Sequence, residues 1–188
     1  MKKLIGSKIA LGTPVANLII LTAAVLLSVT VVAFATNVTT SQVQKENMYI
    51  AETHLWYINS AYSVGAISIV NTGPSDIVLT KIVIKGLQST WNGTDNYVIY
   101  NKTNQTLPGN LPLVENFTNT ESTDITIGNT PFTFDAAQEG LTLKSGWTIT
   151  FYIAIPNTIM IYDLGQAIRI TISTTQAVYA TETLVQTA

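Results

Sequence analysis

Cysteine is absent from the 188 residues, and histidine occurs once, at position 54. The first absence removes thiol nucleophiles, thiolate metal sites and disulfides, so an exported domain must be held by its hydrophobic core alone. The second leaves His54 with no second imidazole to share a metal; its expected place is a helix surface. The chain also lacks a Gly-x-Ser-x-Gly elbow, a phosphate-binding glycine loop and a calcium loop. Its acidic residues are scattered singly. These absences point away from an enzyme and away from a bound metal or cofactor. Charge is scarce as well, at 11% of residues. Beyond residue 44 six basic residues stand against eleven acidic ones. Nucleic-acid surfaces need clustered Lys and Arg, so that partner class is excluded.

The most informative absence lies in residues 9–44, which carry no charged side chain. Residues 15–35 are almost wholly apolar. A bilayer core requires roughly 20 apolar residues as a helix, and this segment is long enough. Lys2, Lys3 and Lys8 precede it and no acid does, which places the preceding residues in the cytoplasm and the rest outside. Pro14 suits a first helical turn, where its missing N–H costs nothing. No Gly or Pro falls between Val15 and Tyr62. Met48, Ala51, Leu55, Ile58 and Tyr62 recur at steps of three and four, which predicts that the helix continues to residue 62. The set His54, Trp56 and Tyr57 then serves helix-to-domain packing at a neck.

Past Tyr62 the period changes to two. Residues 63–71 and 77–85 are expected to form a hairpin around the breaker-rich turn at residues 71–76. Residues 87–130 are read as long loops with short strands, residues 97–100 being the clearest. Residues 147–155 place Trp147, Ile149, Phe151, Ile153 and Ile155 on one face and Thr148, Thr150 and Tyr152 on the other. Residues 167–174 alternate likewise, with Ile168, Ile170 and Ile172 inward. Half-buried antiparallel strands follow, and the turns between them suit a β-sandwich. The fold class is therefore α+β: a long N-terminal hydrophobic helix, then an antiparallel, Ig-like β-sandwich. The expected divisions are a basic leader at 1–12, a helix at 13–62 and a globular domain at 63–188.

Three pieces together resemble an archaeal type IV pilin or archaellin. They are Leu11-Gly12-Thr13-Pro14 before the apolar run, the extension of that run into a polar helix, and Asn71-Thr72-Gly73 between two strands. The resemblance implies that a membrane prepilin peptidase removes the leader between Gly12 and Thr13, with Gly6 as the other small residue available. Lys8 lies four residues before Gly12, whereas the family usually carries a basic residue next to the cut. It also implies a membrane-inserted precursor, pilus assembly machinery, and a homopolymer built on Val15, Leu18, Ile19, Leu26, Val29 and Phe34. The filament would be extracellular, at the cell surface, and adhesive. Two other readings stay open. A signal peptidase could cut after Ala33-Phe34-Ala35, leaving a secreted chain that assembles by donating a strand, or the chain could remain a membrane-anchored binding module.

Five Asn-x-Ser/Thr sequons occur, at Asn37, Asn92, Asn101, Asn104 and Asn116. Four of them cluster in the irregular section, and Asn92, Asn101, Asn104 and Asn116 are the expected glycosylation sites.

Overall fold

The computed structural model describes residues 8–43, 46–94, 96–154, 156 and 159–188; for residues 8–13 and 39–43 it describes the backbone alone. The chain divides into two units, Met1–Gln44 and Lys45–Ala188.

The first unit contains α1 (Lys8–Val43). At 1.5 Å per residue its 36 residues span roughly 54 Å. Its apolar stretch, Pro14–Val38, holds an 18-residue window with a mean hydropathy of 2.7 and is long and apolar enough to cross a membrane. Pro14 lies inside the helix rather than in its first turn, so the i→i−4 bond that its N–H would make is lost. The bond between Gly12 and Thr13 likewise falls within the helix. Most of the expected leader, residues 1–7, lies outside the described residues.

The helix does not run on to residue 62. Residues Met48–Asn59 form strand β1 instead. Tyr49, Ile50, Thr53, Trp56, Tyr57 and Ile58 are aromatic or β-branched and fit a pleated surface. Irregularities in the pairing at Ile50/Glu52 and Tyr57/Asn59 interrupt the alternation. A bulge adds one residue to one strand, which turns a period of two into mixed steps that imitate a helix. Asn59 Oδ1 accepts the Ala61 N–H at 2.9 Å and turns the chain into β2 (Tyr62–Asn71).

The remaining strands are β3 (Ile77–Ile84), β4 (Leu87–Gln88), β5 (Tyr97–Thr103), β6 (Thr123–Ile127), β7 (Thr130–Ala136), β8 (Leu141–Leu143), β9 (Thr148–Ala154), β10 (Ala167–Thr174) and β11 (Val178–Thr187). They join in one large, mostly antiparallel sheet, in the order β4-β3-β10-β11-β1-β2-β9-β5-β7-β6, with β8 on β3. The α+β class holds. The sheet folds back over itself: a Cβ placed on Gly65 of β2 would lie 3.7 Å from Ile84 Cδ1 of β3, although four pairing steps separate the two strands. Strand β11 makes the crossing. It is antiparallel to β10 through Leu184, then pairs parallel with Leu55–Tyr57 of β1 through its last residues.

Two cores result. Ile67, Ile69, Ile149, Phe151 and Ile153 meet Ile82, Ile84, Ile168, Ile170 and Ile172 between the layers. On the far face of β2 and β9, Ala66, Tyr152 and Ala154 pack with Phe117, Ile125, Ile127 and Phe134. The alternation expected for residues 147–154 is therefore right in phase, but the strand is not half-buried. All seven residues of β9 are buried, because the β6–β7 hairpin and the preceding loop cover the face that holds Tyr152. Ile155 lies outside the described residues.

Nor do β2 and β3 form a hairpin. β2 pairs with β1 and β9, whereas β3 pairs with β4, β8 and β10, so residues 71–77 arch from one layer to the other. Asn71 holds the arch. Its side chain is fully buried, donates to the carbonyls of Ser75 (2.8 Å) and Leu143 (3.1 Å), and accepts the Gly73 N–H (3.0 Å). Gly73 is required because a Cβ there would fall 2.7 Å from the Asn47 nitrogen. By contrast β3 and β4 do form a tight hairpin, in which Lys85 (φ 51°) and Gly86 (φ 85°) supply the two left-handed residues of its turn.

A short 3₁₀ turn at Ile161–Asp163 is tied to that hairpin by Lys85 Nζ, 2.6 and 2.8 Å from the Asp163 carboxylate oxygens. Burial alone would raise the Asp163 carboxyl. The hydrogen bonds from Lys85 and the Met160 N–H, with the lysine charge, hold it below its ordinary value of 3.8.

Two outcomes follow from this architecture. Asn71→Ala strands two buried carbonyls and an N–H, and should cost about 2–4 kcal/mol in urea denaturation of the full chain in detergent. A lowered carboxyl pKa contributes stability above the unfolded value that is lost as pH falls through the folded one. Asp163→Asn should therefore lower the melting temperature at neutral pH. The gap to the parent should shrink on acidification below the ordinary carboxylate value; a gap independent of pH would exclude the charged pair as its source.

Candidate functional site

The helix and the loop-rich side of the β unit carry the residues that the sequence singles out. Val15, Leu18, Ile19, Leu26, Val29 and Phe34 are between 51% and 71% exposed. Leu18, Ile19, Ile20 and Leu21 follow one another and point to successive sides, so the helix is apolar all round. A helix of that kind needs lipid or other protein about it. The hydroxyls described along Pro14–Val38 are satisfied internally. Thr22, Thr30 and Thr36 donate to the carbonyls four residues back, and Ser28 to that of Val25, at 2.8–3.0 Å. A hydroxyl paired with its own backbone brings no unmet polar group into an apolar medium.

The four clustered sequons do not share one setting. Asn92, Asn104 and Asn116 are exposed. Asn101 is half-buried on β5, and its amide nitrogen donates to the Thr133 carbonyl at 2.7 Å. Asn37 lies in the apolar stretch of α1.

His54 is on a strand, not on a helix surface. Its Nε2 is 2.7 Å from Glu52 Oε1, and its ring stacks on Trp56 at 5.0 Å. Glu52, His54 and Trp56 occupy alternate positions of β1, so they share a face. Leu55 faces the other core. The aromatic set thus packs within the β unit rather than at a neck. Glu52 Oε1 also accepts the Leu111 N–H at 3.1 Å, tying the covering loop to β1. Nearby, Tyr152 donates to the Pro112 carbonyl at 2.9 Å, and burial, then the Glu52 charge, push its phenol well up. Tyr62 is raised to about 12 by burial, Tyr97 and Glu115. Both phenols therefore stay protonated at neutral pH and serve as hydrogen-bonding core residues. Among the described residues no three His, Asp or Glu side chains gather in a metal-holding group.

What the sequence missed is this polar edge of β1. Placing Glu52 and His54 on a helix hid their pairing, because residues two apart face each other only on a strand. The chain matches no protein-family model, and no curated protein is found to be similar to it.

Exposure decides which sequons an oligosaccharyltransferase reaches. Glycopeptide mass spectrometry of native protein should find glycan on at least one of Asn92, Asn104 and Asn116, and none on Asn101. Occupancy of Asn101 alone would contradict this ordering.

Proposed function

We propose that this protein is a structural subunit of an extracellular, archaeal type IV pilus-like filament, assembled as a homopolymer through α1 and used for adhesion. The observation that carries the reading is the helix stretch Pro14–Val38, apolar on every side and with none of its best 18-residue window buried within its own chain. Lipid covers such a helix before assembly. The like helices of neighbouring subunits can cover it afterwards, because both surroundings are apolar. The resemblance of Gly12-Thr13-Pro14 and Asn71-Thr72-Gly73 to pilins and archaellins adds to this. The clasped arch at Asn71 gives the second phrase a physical role.

In this reading a prepilin peptidase cuts between Gly12 and Thr13. A peptidase needs extended chain, and Gly12 and Pro14 are the poorest helix formers near that bond. The β unit then forms the coat, with Asn92, Asn104 and Asn116 exposed on it. The bond after Ala35 lies inside α1 just as the bond after Gly12 does, so helix continuity does not separate the two cuts. The length of the apolar stretch does: Pro14–Val38 exceeds the roughly 7–15 apolar residues of a signal peptide, which favours the retained helix over the secreted, strand-donating form.

An aspartate at the centre of a membrane helix costs about 2.5–3.5 kcal/mol on insertion scales, and a filament would repeat the defect in every subunit. Leu26→Asp should therefore abolish filaments while leaving the β unit folded, as circular dichroism would report. Electron microscopy of cells making only this variant is the deciding measurement. Normal filaments would rule out α1 as the polymerising element, and a native mass beginning at Thr36 would favour secretion.

A further inference from the structure

The far face of β2 and β9 changes character along its length. At one end Ala66, Tyr152 and Ile99 line up across the strands as core residues. Two residues further, the register sets Glu52, Ser68, Thr150 and Asn101 side by side on β1, β2, β9 and β5. A row serving only as core would carry Val or Ile there. Ser68 and Thr150 are each 1% exposed, and neither hydroxyl meets a hydrogen-bond partner among the described residues. A buried hydroxyl without a partner destabilises a fold, so these two act against stability where an alanine or valine would not.

A pocket of about 340 Å³ opens over the Glu52–Ser68 end of the row; Thr150 and Asn101 do not line it. Glu52, Ser68 and Thr148 line it from the sheet, and Asn104, Gln105 and Thr106 line it from the loop. Val70 and Leu107 add apolar wall. Among the described residues no Lys or Arg lines the pocket, so an anion would meet the Glu52 carboxylate with no cation there to offset it. One carboxylate is too few for a calcium ion, which takes 6–8 oxygen ligands. The lining offers hydroxyls and amides that both donate and accept. The contacts of Glu52 with His54 and with the Leu111 N–H both fall on Oε1, and a carboxylate has a second oxygen with which to accept. The volume lies at the small end of the range for ligand pockets.

We propose that this pocket is a monosaccharide subsite, in which Ser68 and Glu52 hydrogen-bond the hydroxyls of one neutral sugar ring and Val70 and Leu107 pack against its apolar edge. The sugar has two possible sources: the glycan of this chain's own Asn104, which stands on the pocket wall, or a saccharide on another surface. The subsite stands on the β unit alone and does not depend on polymerisation.

The test uses the full chain in detergent micelles, made without glycosylation. D-glucose, D-mannose, D-galactose and N-acetyl-D-glucosamine are titrated at millimolar concentration and read by saturation-transfer NMR. At least one should bind. Ser68→Ala should weaken it about tenfold without lowering the melting temperature, because the substitution removes an unpartnered hydroxyl. Thr148→Val, on the same wall, should weaken it as well. Failure of every sugar to bind, or unchanged binding in Ser68→Ala, would overturn the proposal. The source is separated with protein from the native host. Binding by both the glycosylated chain and its Asn104→Gln form identifies an external saccharide. Binding by Asn104→Gln alone identifies the chain's own glycan as the occupant. Neither result reads filament formation, so it stands apart from the fate of α1.

Discussion

Double burial of one strand organises the β unit. All seven residues of β9 are shielded from water, and odd and even positions feed different cores. Ile149, Phe151 and Ile153 serve the core between the layers, and Tyr152 and Ala154 serve the core under the loop. With no disulfide to hold the layers, apolar area on both faces must do so. At about 25 cal/mol per Å² of apolar surface, a strand used on two sides contributes far more than one used on a single side. The same arrangement explains why the long, irregular section of residues 104–120 is ordered. Leu111 and Phe117 are buried in the second core, and Glu52 and Tyr152 hold the backbone beside them.

The two units answer opposite solvents. The β unit hides most of its aliphatic residues between and beneath its layers. The helix turns leucine and valine outward and draws the hydroxyls of Thr22, Thr30 and Thr36 back onto its own carbonyls. Threonine therefore does two jobs in one chain. On β-strands its branched carbon suits the pleat; in α1 its hydroxyl is kept off the surroundings. The residue type is common to both units, and the backbone decides which job it does.

Much of this was legible in the sequence, for identifiable reasons. The helix shows itself because residues 9–44 contain no charge. β10 shows itself because Ile168, Ile170 and Ile172 alternate with polar residues on a strand with one solvated side. β9 was legible in phase only, since alternation cannot reveal what covers the second face. β1 was misread where its bulges break the period of two, and one wrong period displaced Glu52, His54 and Trp56 together. The arch at residues 71–77 was mistaken for a hairpin because the same Asn, Gly and Pro serve both. What separates them is the partner of each strand, a long-range fact that local residues do not encode. The unpartnered hydroxyls of Ser68 and Thr150 were likewise invisible, because they become neighbours only once β2 and β9 pair.

The crossing of β11 has a bearing on how the unit comes to be folded. It touches β10 with one part and β1 with the other, so strands made early and late in synthesis are sewn together by a segment made after both. Such closure is non-local, and non-local pairing is slow. Until β11 arrives, the free edge of β1 and the free edge of β10 both lie open, and each is a template for another chain. If α1 anchors the chain in a membrane, as proposed, it would then act as a timer as well, keeping the nascent unit apart from its siblings through the interval in which two raw edges await one strand.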